Sequence, residues 1–204
     1  MVPTQYGPLQ HKEQKMAKSA LIALIAVAVL AVAGFVIQRG FAADNAPMPE
    51  VGQTAPNFTL PNQEGQPVDL NHYRGQWVVL YFYPKDMTTG CTIEAHNFQR
   101  DLDQYKALDA VILGVSVDTV DSHRQFCTKD SLHFTLLADP DKKVVQEYGS
   151  LGNFGPMQIA NRNTFLINPD GKIVKVWTKV NPNAHSQEVL AAITSMRGSD
   201  DVRQ

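Results

Sequence analysis

The sequence predicts an α/β fold: a mixed central sheet flanked by helices, preceded by one N-terminal transmembrane or signal helix. Three observations carry this. Trp77 to Tyr83 (WVVLYFY) and Ala110 to Val117 (AVILGVSV) are continuous β-favouring apolar runs, the pattern of strands covered on both faces. Between them, Cys91 to Leu108 places Ile93, Phe98, Leu102 and Tyr105 on one side and charges on the other, so strands and helices alternate. Ala20 to Ile37 (ALIALIAVAVLAVAGFVI) is apolar throughout, with no charge between Lys18 and Arg39.

The N-terminal run comes first along the chain. Twenty helical residues rise about 30 Å, the hydrocarbon thickness of a bilayer. Lys12, Lys15 and Lys18 precede it with Glu13 the only acid, so the N-terminus stays cytoplasmic and everything after Arg39 is exported. A retained anchor and a cleaved signal peptide both fit. Gly40-Phe41-Ala42 supplies small residues for cleavage before Ala43, while the 18-residue apolar core is long for a signal and favours the anchor. The expected organisation is a basic leader (1–19), the membrane helix (20–37), a Pro-containing linker (38–49), one domain (50–197) and a frayed tail (198–204). That domain then lies on the extracytoplasmic side of a membrane, or is secreted.

Within the domain, Phe58-Thr59-Leu60 and Val68-Asp69-Leu70 flank a turn with Asn62 and Gly65, a hairpin. Trp77 to Tyr83 is a strand ended by Pro84, and Cys91 to Leu108 a helix. Ala110 to Val117 is the next strand. Asp121 to Ser131 is a helix with Asp118 or Asp121 as its cap. Thr135 to Ala138 is a short strand, and Asp141 to Tyr148 a short helix ended by Gly149. Thr164 to Ile167 and Ile173 to Trp177 flank the turn Asn168-Pro169-Asp170-Gly171. Ser186 caps a last helix to Met196.

Composition excludes several classes of function. The chain has 204 residues and a formal net charge of −2, which gives no reason to expect a nucleic-acid partner. From Asp44 onward there are 14 basic and 19 acidic residues, so the exported part is mildly acidic. Two cysteines build neither a disulfide scaffold nor a four-thiolate zinc site. The six histidines (His11, His72, His96, His123, His133, His185) lack metal spacing, no phosphate loop occurs, and no cofactor is expected.

Cys91 follows a loop and opens a helix, so unpaired backbone N–H groups and the positive end of the dipole surround its sulfur and favour the reactive thiolate form. Thr88, three residues earlier, offers a hydroxyl to a polar substrate, and Gly90 lets the backbone approach closely. A small buried cysteine beside an incidental loop fits the position equally well.

The surrounding residues separate the two readings. Tyr81-Phe82-Tyr83-Pro84-Lys85-Asp86-Met87-Thr88-Thr89-Gly90-Cys91-Thr92-Ile93-Glu94 resembles the active-site signature of the peroxiredoxins, in the branch called peroxiredoxin Q or bacterioferritin comigratory protein. The pattern Pro-x-x-x-Thr-x-x-Cys falls on Pro84, Thr88 and Cys91. The similarity runs from about Pro49 to Arg197 and includes Gly52 to Phe58, Leu136 to Asp141 and Arg162 to Ile167. The resemblance implies a thioredoxin-like fold with Cys91 as the peroxidatic cysteine. It implies Arg162 as the arginine that stabilises the thiolate and the developing oxygen charge, with Glu94 orienting it. Thr88 and the Cys91 N–H would hold the peroxide in line, and Pro84 would exclude water. Hydrogen peroxide or an organic hydroperoxide is the implied substrate, a thioredoxin-like protein the reductant, and a monomer or weak dimer the working form.

Many relatives place a second, resolving cysteine five residues after the first. Here that position is His96, and the remaining candidate is Cys127. Some members of the branch place the resolving cysteine in that later helix, so the resemblance implies an intramolecular Cys91–Cys127 disulfide formed with local unwinding. Three alternatives stay open: a one-cysteine peroxidase with an external thiol, a permanent structural disulfide, and a protein dithiol–disulfide oxidoreductase. A non-catalytic thioredoxin-like binding module is the rival of a different class.

Overall fold

The computed structural model describes residues 46–201. The expected leader, membrane helix and most of the linker lie outside the described residues. Among the described residues no helix is long and apolar enough to cross a membrane.

The chain forms β1 (Thr59–Pro61), β2 (Pro67–Asp69), a 3₁₀ turn (Leu70–Tyr73), β3 (Trp77–Phe82), α1 (Thr89–Arg100), α2 (Leu102–Ala107), β4 (Ala110–Ser116), α3 (Val120–Asp130) and β5 (Thr135–Ala138). It continues through α4 (Lys143–Glu147), β6 (Leu151–Phe154), β7 (Met157–Ala160), β8 (Asn163–Ile167), β9 (Ile173–Thr178) and α5 (His185–Asp201). The central sheet has the order β5-β4-β3-β8-β9. β3, β4 and β5 are parallel, while β8 and β9 run antiparallel, so the sheet is mixed as expected.

Each face of this sheet buries its own core, which is why β3 reads as an uninterrupted apolar run. Val79 and Tyr81 point to one side, with Phe98 of α1, Tyr105 of α2, Phe126 of α3 and Ile193 of α5. Val78, Leu80 and Phe82 point to the other, against Phe58, Leu60, Val145 and Tyr148. Burying one such side chain contributes roughly 1.5–3 kcal/mol, so the two layers fix the central strands firmly.

Four local expectations change. The helix expected over Cys91 to Leu108 is broken at Asp101, which adopts φ −96°, ψ 5°. Its buried carboxylate accepts from Arg100 Nε (2.8 Å), Ser186 Oγ (2.7 Å) and Gln187 Nε2 (2.8 Å), which ties the break to α5. Those bonds, Arg100's foremost, hold the Asp101 carboxyl down at about 2 against the effect of burial. Ile93 is an exposed side chain, because Cys91, Glu94, Ala95 and Phe98 form the buried stripe of α1. Thr119, not Asp118 or Asp121, caps α3 by accepting from Ser122 N, 3.3 Å. Ser186 sits one residue inside α5, its hydroxyl spent on Asp101.

The β6–β7 hairpin is an addition that no periodicity announced. Phe154 and Met157 at its tip are 47% and 55% exposed, so it shows little of the in–out alternation that marks a strand. Gly149, at φ +59°, turns the chain from α4 toward it, and a side chain there would meet the backbone of Met48 at 2.7 Å.

Candidate active site

The topology delivers three chain segments to one edge of the sheet. β3 and β4 are parallel neighbours, so the loops leaving their C-terminal ends lie side by side. β8 pairs antiparallel with β3 in the register Phe82↔Asn163, which carries Arg162, the residue entering β8, to the same edge. The Arg162 carbonyl accepts from Val180 N at 3.1 Å, which pins its backbone just beyond β9.

α1 begins where the loop after β3 ends. Thr88 is extended, at φ −84° and ψ 150°, and its carbonyl accepts the first helical bond, from Thr92 N at 2.9 Å. Cys91 is the third residue of α1, within the turn whose N–H groups have no intrahelical partner. Its side chain is buried, 2% exposed. Arg162 Nη2 donates to Cys91 Sγ at 3.4 Å, and Arg162 Nη1 donates to Glu94 Oε2. Glu94 lies one helical turn beyond Cys91, so one face of α1 presents both the sulfur and the carboxylate to one guanidinium. Gly90 makes room: a Cβ there would stand 3.1 Å from Arg162 Nη2.

Burial dominates the electrostatics of this pair. Glu94 is 1% exposed, and its Oε1 has no hydrogen-bond partner among the described residues. Burial therefore pushes its carboxyl up to about 7, although Arg162 opposes the shift. Burial works against the Arg162 charge too, but Glu94 and Cys91 beside it outweigh that and hold the guanidinium above its ordinary range. The carboxylate is the more buried partner and bears most of the cost of the pair.

A pH dependence follows. With its carboxyl raised to about 7 in the fold, Glu94 binds its proton more tightly there than in the unfolded chain. The resulting stability is full below the ordinary carboxylate range and is lost as pH rises through 7. Between pH 5 and pH 8 the wild type should lose stability relative to Glu94→Gln by on the order of 3 kcal/mol. Urea unfolding at the two pH values measures this, and parallel pH trends in the two proteins would exclude it.

The other expected residues fall around this centre. Pro84 and Arg162 line an open cleft of about 610 Å³, with Met48, Phe154, Thr178 and Lys179. Arg162 joins the cleft to the thiol. The Thr88 hydroxyl donates to the Lys85 carbonyl at 3.0 Å rather than to Cys91, and its lone pairs remain as acceptors. Cys127, on α3, and Cys91 are both free thiols. Burial, with the nearby charges of Asp86 and Glu64, pushes the Cys127 thiol up to about 12.

Sequence reading missed a buried polar cluster on the same edge. Asp86 accepts from Tyr83 Oη (2.7 Å), Ser122 Oγ (2.7 Å) and His123 Nδ1 (2.8 Å). The Asp86 amide donates to Asp118 Oδ2 at 2.9 Å. His123 is fully buried. The available signal was topological: parallel β3 and β4 put the loop bearing Asp86 beside the start of α3.

Fold and site together define the class: an α/β protein with a mixed sheet and a buried cysteine held against an arginine at its edge. The AhpC/TSA family description matches residues 51–176, and the chain belongs to that family. It is 41% identical over 151 residues to Peroxiredoxin Bcp of Bacillus subtilis, covering 72% of this chain and 96% of the relative. A crystal structure of a cysteine-to-serine mutant of PrxQ from Xylella fastidiosa superposes with TM-score 0.71 at 34% identity, over 74% of this chain and 99% of the other. The bacterioferritin comigratory protein of Xanthomonas campestris, solved in trapped-intermediate and ligand complexes bearing on its alkyl peroxide reduction, gives TM-score 0.65 at 34% identity, over 68% and 91%. The fold is thioredoxin-like, and the chain is a peroxiredoxin with thiol-dependent peroxidase activity.

Proposed function

We propose that Cys91 reduces hydrogen peroxide and organic hydroperoxides, that Cys127 resolves the oxidised product, and that a thioredoxin-like dithiol protein recycles the enzyme. The observation that carries this reading is the Arg162 guanidinium donating to Cys91 Sγ at 3.4 Å while Glu94 holds its other arm. The Cys91 thiolate attacks the terminal oxygen of the hydroperoxide. The S–O bond forms, the O–O bond breaks, and the leaving oxygen takes a proton and departs as water or an alcohol. Arg162 aims fixed positive charge at the sulfur and at the two oxygens as negative charge moves onto them. The Cys91 amide and the Thr88 hydroxyl hold the peroxide in line, and Pro84 keeps bulk water from the sulfur.

Phe154 and Met48 give the cleft an apolar wall, which suits the carbon chain of an organic hydroperoxide. The alkyl peroxide activity described for the Xanthomonas relative supports the same substrate class. The uninterrupted apolar run Ala20 to Ile37 behind a basic leader supports a working position outside a membrane, anchored or secreted.

Intact mass spectrometry after one equivalent of hydrogen peroxide tests the cycle. The expected product has lost two hydrogens relative to the reduced protein, and peptide mapping links Cys91 to Cys127. A lasting sulfenic or over-oxidised Cys91, with Cys127 still a thiol, would give the one-cysteine cycle instead.

A further inference from the structure

The Asp86 cluster lies outside the peroxide site, yet it joins the two segments that carry the cysteines. Asp86 and Tyr83 belong to the loop that leads into α1 and Cys91, whereas Ser122 and His123 open α3, the helix of Cys127. Cys127 lies one helical turn beyond His123, so whatever holds that end of α3 holds the cysteine. The far end of α3 is tied as well. His96 Nε2 and Asp130 Oδ1 are 3.0 Å apart, and His133 N donates to Gln99 Oε1 at 2.6 Å. His96 thus bonds to α3 from the position where many relatives carry their resolving cysteine.

We infer that Asp86, Tyr83, Ser122 and His123 form a clamp that holds α3 closed on the peroxidatic loop, and that its release sets the rate at which Cys127 reaches oxidised Cys91. The inference rests on Cys127 as the resolving thiol. In the resolving step the Cys127 sulfur attacks the sulfur of the Cys91 sulfenic acid. A sulfur–sulfur bond forms and the sulfur–oxygen bond breaks. Hydroxide leaves and takes up the Cys127 proton as water, and the oxidising equivalent is the one already taken from the peroxide. A disulfide requires close Cβ approach and a narrow torsion range, which two cysteines fixed in separate helices do not satisfy without backbone movement.

Three features make the clamp strong. Asp86 is 4% exposed and His123 fully buried, so their bonds form away from competing water. Although burial pushes the Asp86 carboxyl up, the hydrogen bond from His123, with those from Tyr83 and Ser122, holds it below its ordinary range and keeps it a charged acceptor. Burial and the charge of Asp86 keep the Tyr83 phenol protonated, hence a donor. The closed arrangement also silences its own nucleophile: a thiol pushed up to about 12 carries almost no thiolate at neutral pH, and exposure on opening restores it. While α3 stays closed, the sulfenic acid at Cys91 remains open to a second peroxide and to sulfinic acid.

The test is a rapid-quench single turnover of the full chain with one equivalent of hydrogen peroxide, comparing wild type, Ser122→Ala, Ser122→Thr and Cys127→Ser. Sulfenic acid is trapped with a dione, and disulfide is read by intact mass. In Ser122→Ala, sulfenic acid should form at the wild-type rate, while the disulfide forms about tenfold faster, the equivalent of one lost hydrogen bond to a charged group. Ser122→Thr keeps the hydroxyl and should return the wild-type rate, which a general loosening of the fold would not do. Amide hydrogen exchange across 120–130 should quicken in Ser122→Ala alone. Tyr83→Phe, which also removes one donor to Asp86, replaces Ser122→Ala if that protein does not fold. An unchanged or slower disulfide step in both variants, with the wild type still forming the Cys91–Cys127 bond, overturns the clamp and leaves resolution by Cys127 standing. A wild type that behaves like Cys127→Ser and forms no such bond overturns both.

Discussion

Replacing Cys91 by Ser should remove peroxide turnover and leave the fold in place. The two side chains differ by one atom, and the position is 2% exposed at the start of α1, so the helix and its contacts persist. The chemistry does not persist. An alcohol at neutral pH is un-ionised, and oxygen bound to oxygen offers no counterpart to the sulfenic acid that receives the peroxide oxygen. Peroxide consumption with excess dithiol reductant should fall to the level of reductant alone, with an unchanged melting temperature. Turnover surviving in a folded Cys91→Ser protein would remove the assignment altogether.

Arg162→Ala is the second large effect, and it has two parts that separate with pH. Losing the guanidinium 3.4 Å from Cys91 Sγ removes the positive group aimed at the reacting atoms, so the second-order rate with peroxide should fall by about 10²–10³. Arg162→Lys should recover only part of this, because one ammonium cannot serve Cys91 and Glu94 at once as a planar fork does. The second part is stability. Glu94 would be left buried without its cation, a situation that costs about 3–5 kcal/mol when the charge is retained. Its carboxyl already stands at about 7 with Arg162 present, so without it the group takes up a proton instead. The destabilisation of Arg162→Ala should therefore be small at pH 5, where Glu94 is neutral in both proteins, and grow toward pH 8. A penalty independent of pH would show that Arg162 stabilises the fold by packing alone.

What could be read without coordinates followed periodicity and turn chemistry. The buried runs at Trp77 and Ala110, the Asn168 to Gly171 turn and the hairpin around Gly65 are local signals, and each appears within a residue or two of its expected bounds. The break at Asp101 was hidden, because its cause is Ser186 and Gln187 on a helix 85 residues away. The β6–β7 hairpin was hidden for another reason: its apolar tip faces the cleft and solvent instead of a core. At the site, Cys91, Thr88 and Glu94 stand within seven positions and share one motif. Arg162 came only through resemblance, and the β3–β8 register is the physical fact behind it. Asp86 and His123 carried no local mark. A loop aspartate and a helical histidine look like surface residues until parallel strands press their loops together.

That register also orders events in time. Cys91 and Arg162 are 71 positions apart, and β8 inserts between β3 and β9 only after most of the chain has been made. Non-local strand pairing of this kind is slow compared with the formation of α1. A nascent chain therefore possesses its sulfur well before its guanidinium. On the role proposed for Arg162, sensitivity to oxidant switches on with the docking of the C-terminal strands, when the sheet is complete.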